Sequence, residues 1–332
     1  RAGVIVVRTR LEALRDSNPL YSGLWRLLIG WWGGDFPQLG WLDNPFDDGP
    51  QRVGLRAWLQ LLNFKANHRK LLAADDGAGG WISIVTSANP HDASSNNGNV
   101  ALQLRGRLAG AIIGSELQIA AWSVDDDRLP PRPSIEGGGI GSIDARFLTE
   151  GAIHAAMLDA VAAAGAGDEI CLAMFYLSER RLIEALLRAS ARGVHVRLLL
   201  DGNQRAFGRT KDGIPNQAVA AELVHGGAGR IEVRWYKTQG EQFHSKMTLI
   251  AHGADLWMSL GSANDTRRNL DDLNLEADVE LRLPARAAAA RAATAYFEDQ
   301  WAGAAPYEQL ADESAAKYWR YRFMEATGLS TF

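Results

Sequence analysis

The sequence predicts an α/β protein made of two similar halves, each with a mixed central sheet flanked by helices. Two observations lead to this prediction. Helical and strand patterns alternate through the second half of the chain, which is typical of a sheet covered by helices. A pair of short motifs also recurs at nearly the same spacing in both halves, which is typical of one structural unit used twice.

The repeated unit begins with a histidine that is followed two residues later by a lysine. His68 and Lys70 form the first copy, and His244 and Lys246 form the second. Each pair falls where a strand is predicted, and side chains alternate between the two faces of a strand. The two side chains of each pair are therefore expected to point the same way.

A short Ser-x-Asn turn follows each histidine motif. Asn89 lies 21 residues after His68, and Asn264 lies 20 residues after His244. The serines of the two turns are Ser87 and Ser262. A further asparagine follows ten residues later in each copy, at Asn99 and Asn274. This agreement in spacing is far more specific than a single His-x-Lys pair.

The first half is expected to span residues 1–123 and to start partway through a structural unit. Its start lacks the helices and strands that precede the matching strand in the second half, so we expect the natural protein to have further residues upstream. Four tryptophans fall in a loop-rich stretch, where we favour a helix packed on the core over an aromatic rim of a lipid-binding cleft. The predicted elements are strands at 3–9, 68–75 and 81–86, a strand or short helix within 51–65, and a helix at 108–123.

A linker rich in Asp, Pro and Gly is predicted at 124–146, followed by the second half at 147–302 and a helical tail at 303–332. Ser178 is expected to cap a helix, and Gly193 to end it. In the tail, the aromatic side chains of Tyr318, Trp319, Tyr321 and Phe323 are expected to pack on the body. The predicted helices are 154–164, 178–192, 217–226, 285–302 and 307–327, and the predicted strands are 169–175, 194–201 and 231–236.

The composition is that of a globular protein, with 47% hydrophobic and 22% charged residues in 332. The net charge of −4 does not favour non-specific nucleic-acid binding, which usually shows a basic surplus. Cys171 is the single cysteine and lies in an apolar run, so we expect a buried thiol without a disulfide. The Ala-, Gly- and Arg-rich composition favours a bacterial origin, and both cytoplasmic and membrane-associated locations remain open.

The paired residues form a chemical inventory suited to phosphoryl groups. A neutral imidazole can attack phosphorus, and a protonated imidazole can release the leaving alcohol. Lysines supply fixed positive charge, and asparagine amides can donate hydrogen bonds to phosphoryl oxygens. The catalytic candidates are His68, Lys70, Asn89, His244, Lys246, Asn264 and Glu276, and the substrate-binding candidates are Ser87, Ser262, Asn99 and Asn274.

The doubled His-x-Lys and Ser-x-Asn motifs resemble those of the phospholipase D superfamily, over most of residues 1–302. The resemblance implies two α/β/α sandwich halves around one joint active site, a phosphohistidine intermediate, and neither metal nor cofactor. It also implies that the first-copy histidine, His68, is the nucleophile and that His244 is the acid. The sequence by itself does not distinguish the two roles.

Two departures from the family pattern stand out. The acid expected five residues after each lysine is present as Asp75 in the first copy, where we expect a turn residue, but the second copy has Ala251 there. The second copy contains the family's Asn-x-Glu, with Glu276 expected to hold His244, whereas the first copy reads Asn99-Val100-Ala101. His68 therefore has no evident acidic partner, and Asp92, Asn97 or Asn99 could orient it instead.

The predicted function is phosphodiester hydrolysis or phosphatidyl transfer on a phospholipid, with possible contact to a membrane surface. The Trp-rich stretch and the charge favour lipid over DNA. One alternative is a nuclease-type phosphodiesterase that uses the same residues. The other is a weakened binding or scaffold module, motivated by the missing first-copy acid. A metal-dependent hydrolase is not favoured, because the sequence contains no His/Asp group with ligand spacing.

Overall fold

The computed structural model describes residues 5–11, 14–16, 18, 21–24, 26–27, 40–43, 52–55, 58–59, 65–124, 129, 143–206, 209–330 and 332. Most of the tryptophan-rich stretch and of the predicted linker lies outside these residues, including Trp25, Trp31 and Trp32. Trp41 is described, and its side chain is exposed. Residues 5–10 have no regular secondary structure, so the strand predicted at 3–9 is wrong over its described part.

The first half contributes a small antiparallel sheet and one long helix to the described residues. Its first two strands, β1 and β2, form a separate two-residue pair. The next three strands form a meander in the order β3-β4-β5, and a 3₁₀ turn at Asp92–Asn96 precedes β5. The bounds are β1 Leu42–Asp43, β2 Arg52–Val53, β3 Leu71–Asp75, β4 Trp81–Thr86, β5 Ala101–Arg105 and α1 Arg107–Ala121.

The second half has the alternating helices and strands that the sequence predicts, and its predicted elements lie within a few residues of the observed ones. The helix predicted at 307–327 is wrong over its first part, because a 3₁₀ turn occupies Tyr307–Gln309 and the α-helix begins only at Ala315. Its strands are β6 Asp144–Thr149, β7 Glu169–Met174, β8 His195–Leu200, β9 Arg205–Ala206, β10 Arg209–Thr210, β11 Ile231–Trp235, β12 Lys246–His252, β13 Asp255–Gly261, β14 Ala277–Pro284 and β15 Ala305–Pro306. Its helices are α2 Gly151–Ala163, α3 Arg180–Ala191, α4 Asn216–Gly226, α5 Arg267–Leu270, α6 Ala288–Gly303 and α7 Ala315–Thr327.

Eight of these strands form one mixed sheet in the order β15-β11-β8-β7-β12-β13-β14-β6. The strands β7, β8 and β11 are parallel to one another, and the remaining pairs are antiparallel. The outer strands extend the half beyond its predicted limits, since β6 begins at Asp144 inside the predicted linker and β15 lies inside the predicted tail. Both strands complete hydrogen bonds that the sheet edges would otherwise leave open.

The core lies on both faces of the large sheet, because its central strands are apolar on both sides. Helix α3 buries Leu182, Ile183 and Leu186 against one face. Glu179, rather than Ser178, caps this helix: its carboxylate accepts a hydrogen bond from the Leu182 N–H. Cys171 is a buried thiol in β7, as predicted.

The tail packs on the body through fewer aromatic side chains than predicted. Tyr321 is fully buried, but Trp319 and Phe323 are exposed, so the prediction is wrong for those two. Helix α7 ends at Gly328, which has the positive φ typical of a helix end. Among the residues that the structure describes, no helix has both the length and the apolar character needed to cross a bilayer.

The strands that follow the two histidines pair in the same way. β3-β4-β5 is followed by α1, and β12-β13-β14 is followed by α6. Leu71, three residues after His68, pairs with Val85, four residues before Asn89. Met247 and Leu260 occupy the corresponding positions in the second copy and also pair. The two motifs therefore share one register within their hairpins, while the repeat over whole halves stays a prediction.

Candidate active site

Each histidine lies just before the first strand of its hairpin; Lys70 directly precedes β3, and Lys246 is the first residue of β12. His68 precedes β3 and His244 precedes β12. The Lys70 Nζ donates to the carbonyl of His68 at 2.5 Å, and the Lys246 Nζ donates to the carbonyl of His244 at 3.0 Å. Each lysine therefore folds back beside its own histidine, as the His-x-Lys spacing predicts.

The backbone before each histidine pairs with the other half of the chain. The Leu275 N–H donates to the Ala66 carbonyl at 3.0 Å, and the Gly98 N–H donates to the Gln242 carbonyl at 2.9 Å. Ala66 and Gln242 both lie two residues before a histidine. The two copies are thus joined by the same type of hydrogen bond in both directions, which brings both histidines to one interface.

Asparagine side chains repeat this exchange and reveal an error in the sequence alignment of the copies. Asn274 Oδ1 accepts from the Ala66 N–H, and Asn97 Oδ1 accepts from the Gln242 N–H, both at 3.1 Å. Asn97 is therefore the counterpart of Asn274, and the predicted pairing of Asn99 with Asn274 is wrong. The second copy has two more residues between its Ser-x-Asn turn and this position, so equal spacing was misleading.

Glu276 orients His68, not His244 as predicted. His68 Nδ1 lies 2.8 Å from Glu276 Oε1 and 3.0 Å from Oε2. The carboxylate is fully buried and also accepts hydrogen bonds from Ser262 Oγ and Asn269 Nδ2. The expectation that His68 has no acidic partner is therefore also wrong, because its partner comes from the other half. With Nδ1–H donated to the carboxylate, Nε2 of His68 carries the free lone pair.

Asn99 has the corresponding place beside His244. His244 Nδ1 lies 3.2 Å from Asn99 Oδ1. The Asn99 amide donates to the carbonyls of Ser94 and Asn97, which fixes its oxygen toward the imidazole. The acid missing from the first copy is therefore missing at position 99, rather than at Ala101, and an amide has replaced it.

The two serines tie their turns to these partners. Ser262 Oγ donates to Glu276 at 2.5 Å, and Ser87 Oγ lies 3.2 Å from Asn99 Oδ1. Both serines are fully buried and also accept a backbone N–H from the next strand. Their contacts are those of positioning residues, and direct binding of substrate by the four candidate residues remains a prediction.

The two turn asparagines differ in burial. Asn264 is buried, and its Oδ1 has no hydrogen-bond partner among the described residues. Asn89 is half-buried and is held through its backbone N–H, which donates to Ser94 Oγ. Both belong to the turns beside the lysines, where an amide could meet a phosphoryl oxygen.

Both lysines of the site are buried, and burial shifts their pKa values. Burial lowers the pKa of Lys70 to about 8, against the opposing effect of Glu276. Lys246 is 1% exposed, and its burial together with the charge of Lys70 lowers its pKa well below the usual value. Two cations buried side by side repel each other, and a bound phosphoryl group would relieve that repulsion.

Burial and neighbouring charges also shift the pKa values of the two imidazoles and of Glu276. Burial lowers the pKa of His68 although Glu276 opposes it. Burial, followed by the charges of Lys246 and Lys70, lowers the pKa of His244. Burial raises the pKa of Glu276, but the contact with His68 and the charge of Lys70 lower it by more, so that the pKa lies below its usual value.

Sequence reasoning missed two buried acids beneath the lysines. Burial raises the pKa of Asp278 to about 7 and that of Asp201 to about 6. Asp278 accepts from the Ala263 N–H, and Asp201 accepts from the Phe243 N–H, next to His244. Asp201 ends the strand predicted at 194–201, and that position was its only available signal, whereas no element was predicted at Asp278, the second residue of β14.

Arg69 is a third residue that the sequence analysis missed. Its guanidinium, 4% exposed, donates to Glu150 and to the carbonyl of Glu276. Glu150 in turn accepts the Glu276 N–H at 3.1 Å. The Arg69–Glu150 pair thus holds the backbone of the residue that orients His68, and the corresponding position in the second copy is Ser245.

One group of possible metal ligands comes together away from the histidine motifs, where the sequence analysis found none. Single ligand atoms of His154, Glu179 and Asp271 all lie within 4.8 Å of one another. Arg181 donates to Glu179 and to Asp271, so a guanidinium already balances these carboxylates. The group therefore forms an ion-pair cluster that joins the start of α3 to the end of α5.

Asp75 behaves as the turn residue that was predicted. Its Oδ1 accepts from the Gly77 N–H at 3.1 Å in the tight turn after β3. In the second copy the corresponding turn follows His252, which lies 2.8–2.9 Å from Asp168. Neither turn contains a contact to the histidine motifs, since both lie at the far ends of their strands.

Parts of the chain are similar to a known protein family and to solved structures. Residues 160–301 match the family model described as a cardiolipin synthase, phospholipase D-like domain. No curated protein sequence matches the chain. The solved structure of a phospholipase D family member, Nuc from Salmonella typhimurium, is 19% identical, with a TM-score of 0.39, and the match covers 49% of this chain and 99% of that one.

A second solved structure, phosphatidylserine synthase from Haemophilus influenzae, is similar over a larger part of this chain. It is 10% identical, with a TM-score of 0.53, and the match covers 75% of this chain and 68% of that one. At this identity the similarity concerns the fold. Residues 160–301 therefore match a phospholipase D-like domain, and the mixed sheet and the shared fold agree with that match.

Proposed function

We propose that the chain cleaves or transfers phosphodiesters at the joint site, with His68 as the nucleophile and His244 as the general acid. The observation that carries this proposal is the Glu276 contact to His68 Nδ1 at 2.8 Å. A carboxylate at Nδ1 fixes the tautomer and stabilises the positive charge that develops when Nε2 attacks phosphorus. His244 has no such charge at its Nδ1.

The reaction divides into two balanced steps. In the first, His68 Nε2 forms a bond to phosphorus while the phosphorus–oxygen bond to the leaving alcohol breaks, and His244 gives its proton to that oxygen. In the second, water or another alcohol attacks phosphorus, returns a proton to His244, and the nitrogen–phosphorus bond breaks. Lys70 and Lys246 balance the charge on the phosphoryl oxygens throughout.

A phospholipid is the preferred substrate. The family model carries a cardiolipin synthase description, and the H. influenzae structure is named as a phosphatidylserine synthase. The net charge of −4 and the absence of a basic surplus in the composition also favour a lipid over the backbone of DNA. Transfer to an alcohol and hydrolysis by water would share the same phosphohistidine.

The direct test compares diester classes on one protein preparation. Vesicles containing phosphatidylglycerol, single-stranded and double-stranded DNA, and bis-p-nitrophenyl phosphate would each be incubated with wild type, His68→Ala and His244→Ala. We expect turnover of the vesicle lipid that either substitution abolishes, and turnover that persists in chelator. Faster cleavage of DNA than of lipid would favour the nuclease-type alternative.

The scaffold alternative makes a different prediction. Its motivation was the missing first-copy acid, but the position in question contains Asn99 and His68 has Glu276 as its partner. A folded protein that binds vesicles yet turns over none of these diesters, and forms no covalent adduct with them, would support the scaffold alternative and overturn the proposal.

A further inference from the structure

We propose that Asn99 is the positioning residue of His244, in the place that Glu276 has beside His68. Because the amide of Asn99 is neutral, the roles of the two histidines are fixed: His244 only transfers protons, and His68 alone carries the phosphoryl group. This inference rests on the proposed function and explains how one site made of two similar copies separates two roles. The supporting observation is that each histidine has its Nδ1 partner in the other half of the chain.

The two environments share their serine and backbone contacts and differ in the partner at Nδ1. Ser262 Oγ contacts Glu276, and Ser87 Oγ contacts Asn99. The backbone beside each partner pairs with the residue two positions before the histidine of the other copy. Because these serine and backbone contacts repeat, the group in direct contact with Nδ1 differs only in being a carboxylate for His68 and an amide for His244.

The Asn99 amide fixes the tautomer of His244 but adds no charge. Its nitrogen is used by the carbonyls of Ser94 and Asn97, so its oxygen must face the imidazole. A carbonyl oxygen only accepts, so His244 Nδ1 must carry the hydrogen and Nε2 must face the site. Tautomer and orientation are thus the same as for His68.

The charges around His244 are all unfavourable to an imidazolium in the resting site. Burial lowers the pKa of His244 most, and the charges of Lys246, Lys70 and His68 lower it further, against an opposing backbone contact at Ser87. The centroid of the Phe175 ring lies 5.1 Å from that of the imidazole. Asp201 binds the neighbouring Phe243 N–H rather than the imidazole. No carboxylate among the described residues contacts His244, whereas His68 contacts one directly.

This arrangement suits an acid that is charged only when substrate is present. The anionic phosphoryl group would offset the two lysines and allow His244 to take up a proton, which it would then give to the leaving oxygen. If His244 Nε2 instead attacked phosphorus, the ring would develop positive charge with only an amide at Nδ1. His68 does not meet this obstacle, because Glu276 is ionised beside it.

The test measures the proton affinity and the tautomer of each imidazole directly, and it does not depend on turnover. Protein containing ¹⁵N-labelled histidine would be titrated by NMR for wild type, Asn99→Asp and Asn99→Ala, with His244 and His68 assigned by His→Gln substitutions. We expect Asn99→Asp to raise the proton affinity of His244 about tenfold or more and to leave that of His68 unchanged. In Asn99→Ala, His244 should lose its single Nδ1–H tautomer.

The matched variant Glu276→Gln should lower the proton affinity of His68 and leave His244 unchanged. If the protein turns over substrate, Asn99→Asp should shift the basic limb of the pH–rate profile to higher pH and allow a phosphoryl adduct to form on His244. A wild-type His244 that binds protons more tightly than His68, or no change in His244 with Asn99→Asp, would overturn the inference. Absence of turnover alone would count against the proposed function, while the titration would still decide the role of Asn99.

Discussion

His68 and His244 reach the same site from opposite halves of the chain, but a carboxylate holds one imidazole and an amide holds the other. Glu276 lies 2.8 Å from His68 Nδ1, and Asn99 lies 3.2 Å from His244 Nδ1. Their backbones and serine neighbours are otherwise arranged alike. The comparison teaches that a repeated scaffold can hold two histidines through chemically different partners, a carboxylate in one place and an amide in the other.

The largest effect should come from removing the charge on the His68 side. Glu276→Gln keeps an acceptor but removes the carboxylate that stabilises the developing imidazolium, and we expect kcat to fall about a thousandfold. Stopped-flow or discontinuous assays on the same diester would measure the loss. If Glu276→Gln has nearly full activity while Asn99→Ala does not, the assignment of roles is the reverse of the one proposed.

A second difference between the copies lies in the residue between histidine and lysine. Arg69→Met removes a buried guanidinium from Glu150 and Glu116, and leaving those carboxylates without it should lower the free energy of unfolding by about 3–5 kcal/mol. Urea denaturation would measure this change. The matched substitution Ser245→Ala removes hydrogen bonds to Tyr296 and the Gly98 carbonyl and should cost about 1 kcal/mol.

Equal losses for the two substitutions would show that Arg69 contributes nothing beyond a hydrogen bond. In that case the Arg69–Glu150 pair would not be what holds the two halves together beside Glu276. A circular dichroism spectrum of each variant is the control for correct folding before the urea series.

The lysines should make anion binding sensitive to pH on the basic side. Lys70 has a pKa of about 8, lowered by burial, so its charge is present below that pH and is lost as the pH rises through it. We expect the affinity for tungstate, a phosphate mimic, to fall up to about tenfold per pH unit above 8. Isothermal titration calorimetry at several pH values would measure it.

Lys70→Met is the control for this pH dependence. It should bind tungstate weakly and without the fall that begins near pH 8. A wild-type affinity that stays constant to pH 10 would show that Lys70 remains charged in the site, in disagreement with the pKa of about 8 that follows from its burial.

The smallest effect is expected at Asp75. Asp75→Ala removes a hydrogen bond to the Gly77 N–H in an exposed turn and should lower the free energy of unfolding by about 1 kcal/mol or less, with kcat unchanged. Kinetics and urea denaturation on one preparation would measure both quantities. A large loss of kcat would mean that this acid, absent as Ala251 in the second copy, has a catalytic role in the first.

Much of the fold was predictable because the second half has clear periodic patterns. The strands of the large sheet and helices such as α3 follow from apolar runs and from helix ends such as Gly193. The outer strands β6 and β15 were not predicted: β15 has only two residues, β6 begins inside the Pro- and Gly-rich stretch that was interpreted as a linker, and each is defined by the neighbour with which it pairs. The exposed Trp319 shows that an aromatic residue in a helix need not face the body.

The residues of the site were predictable as a set, but their partners were not. Spacing identified His68, Lys70, His244 and Lys246, because the motifs are short and local. The partner of each imidazole comes from the other half of the chain, so no local pattern connects them. The two additional residues after Asn264 also shifted the alignment, and Asn99 was matched to the wrong asparagine.

The measurement that tests the central claim most directly is the position of the covalent adduct in a single turnover. A labelled diester would be mixed with excess wild type, His68→Ala and His244→Ala, and the base-stable adduct would be located by peptide mass spectrometry. The account predicts an adduct on His68 in wild type, no adduct in His68→Ala, and a long-lived adduct on His68 in His244→Ala when the leaving group needs no acid. An adduct on His244 in the wild-type protein would contradict it.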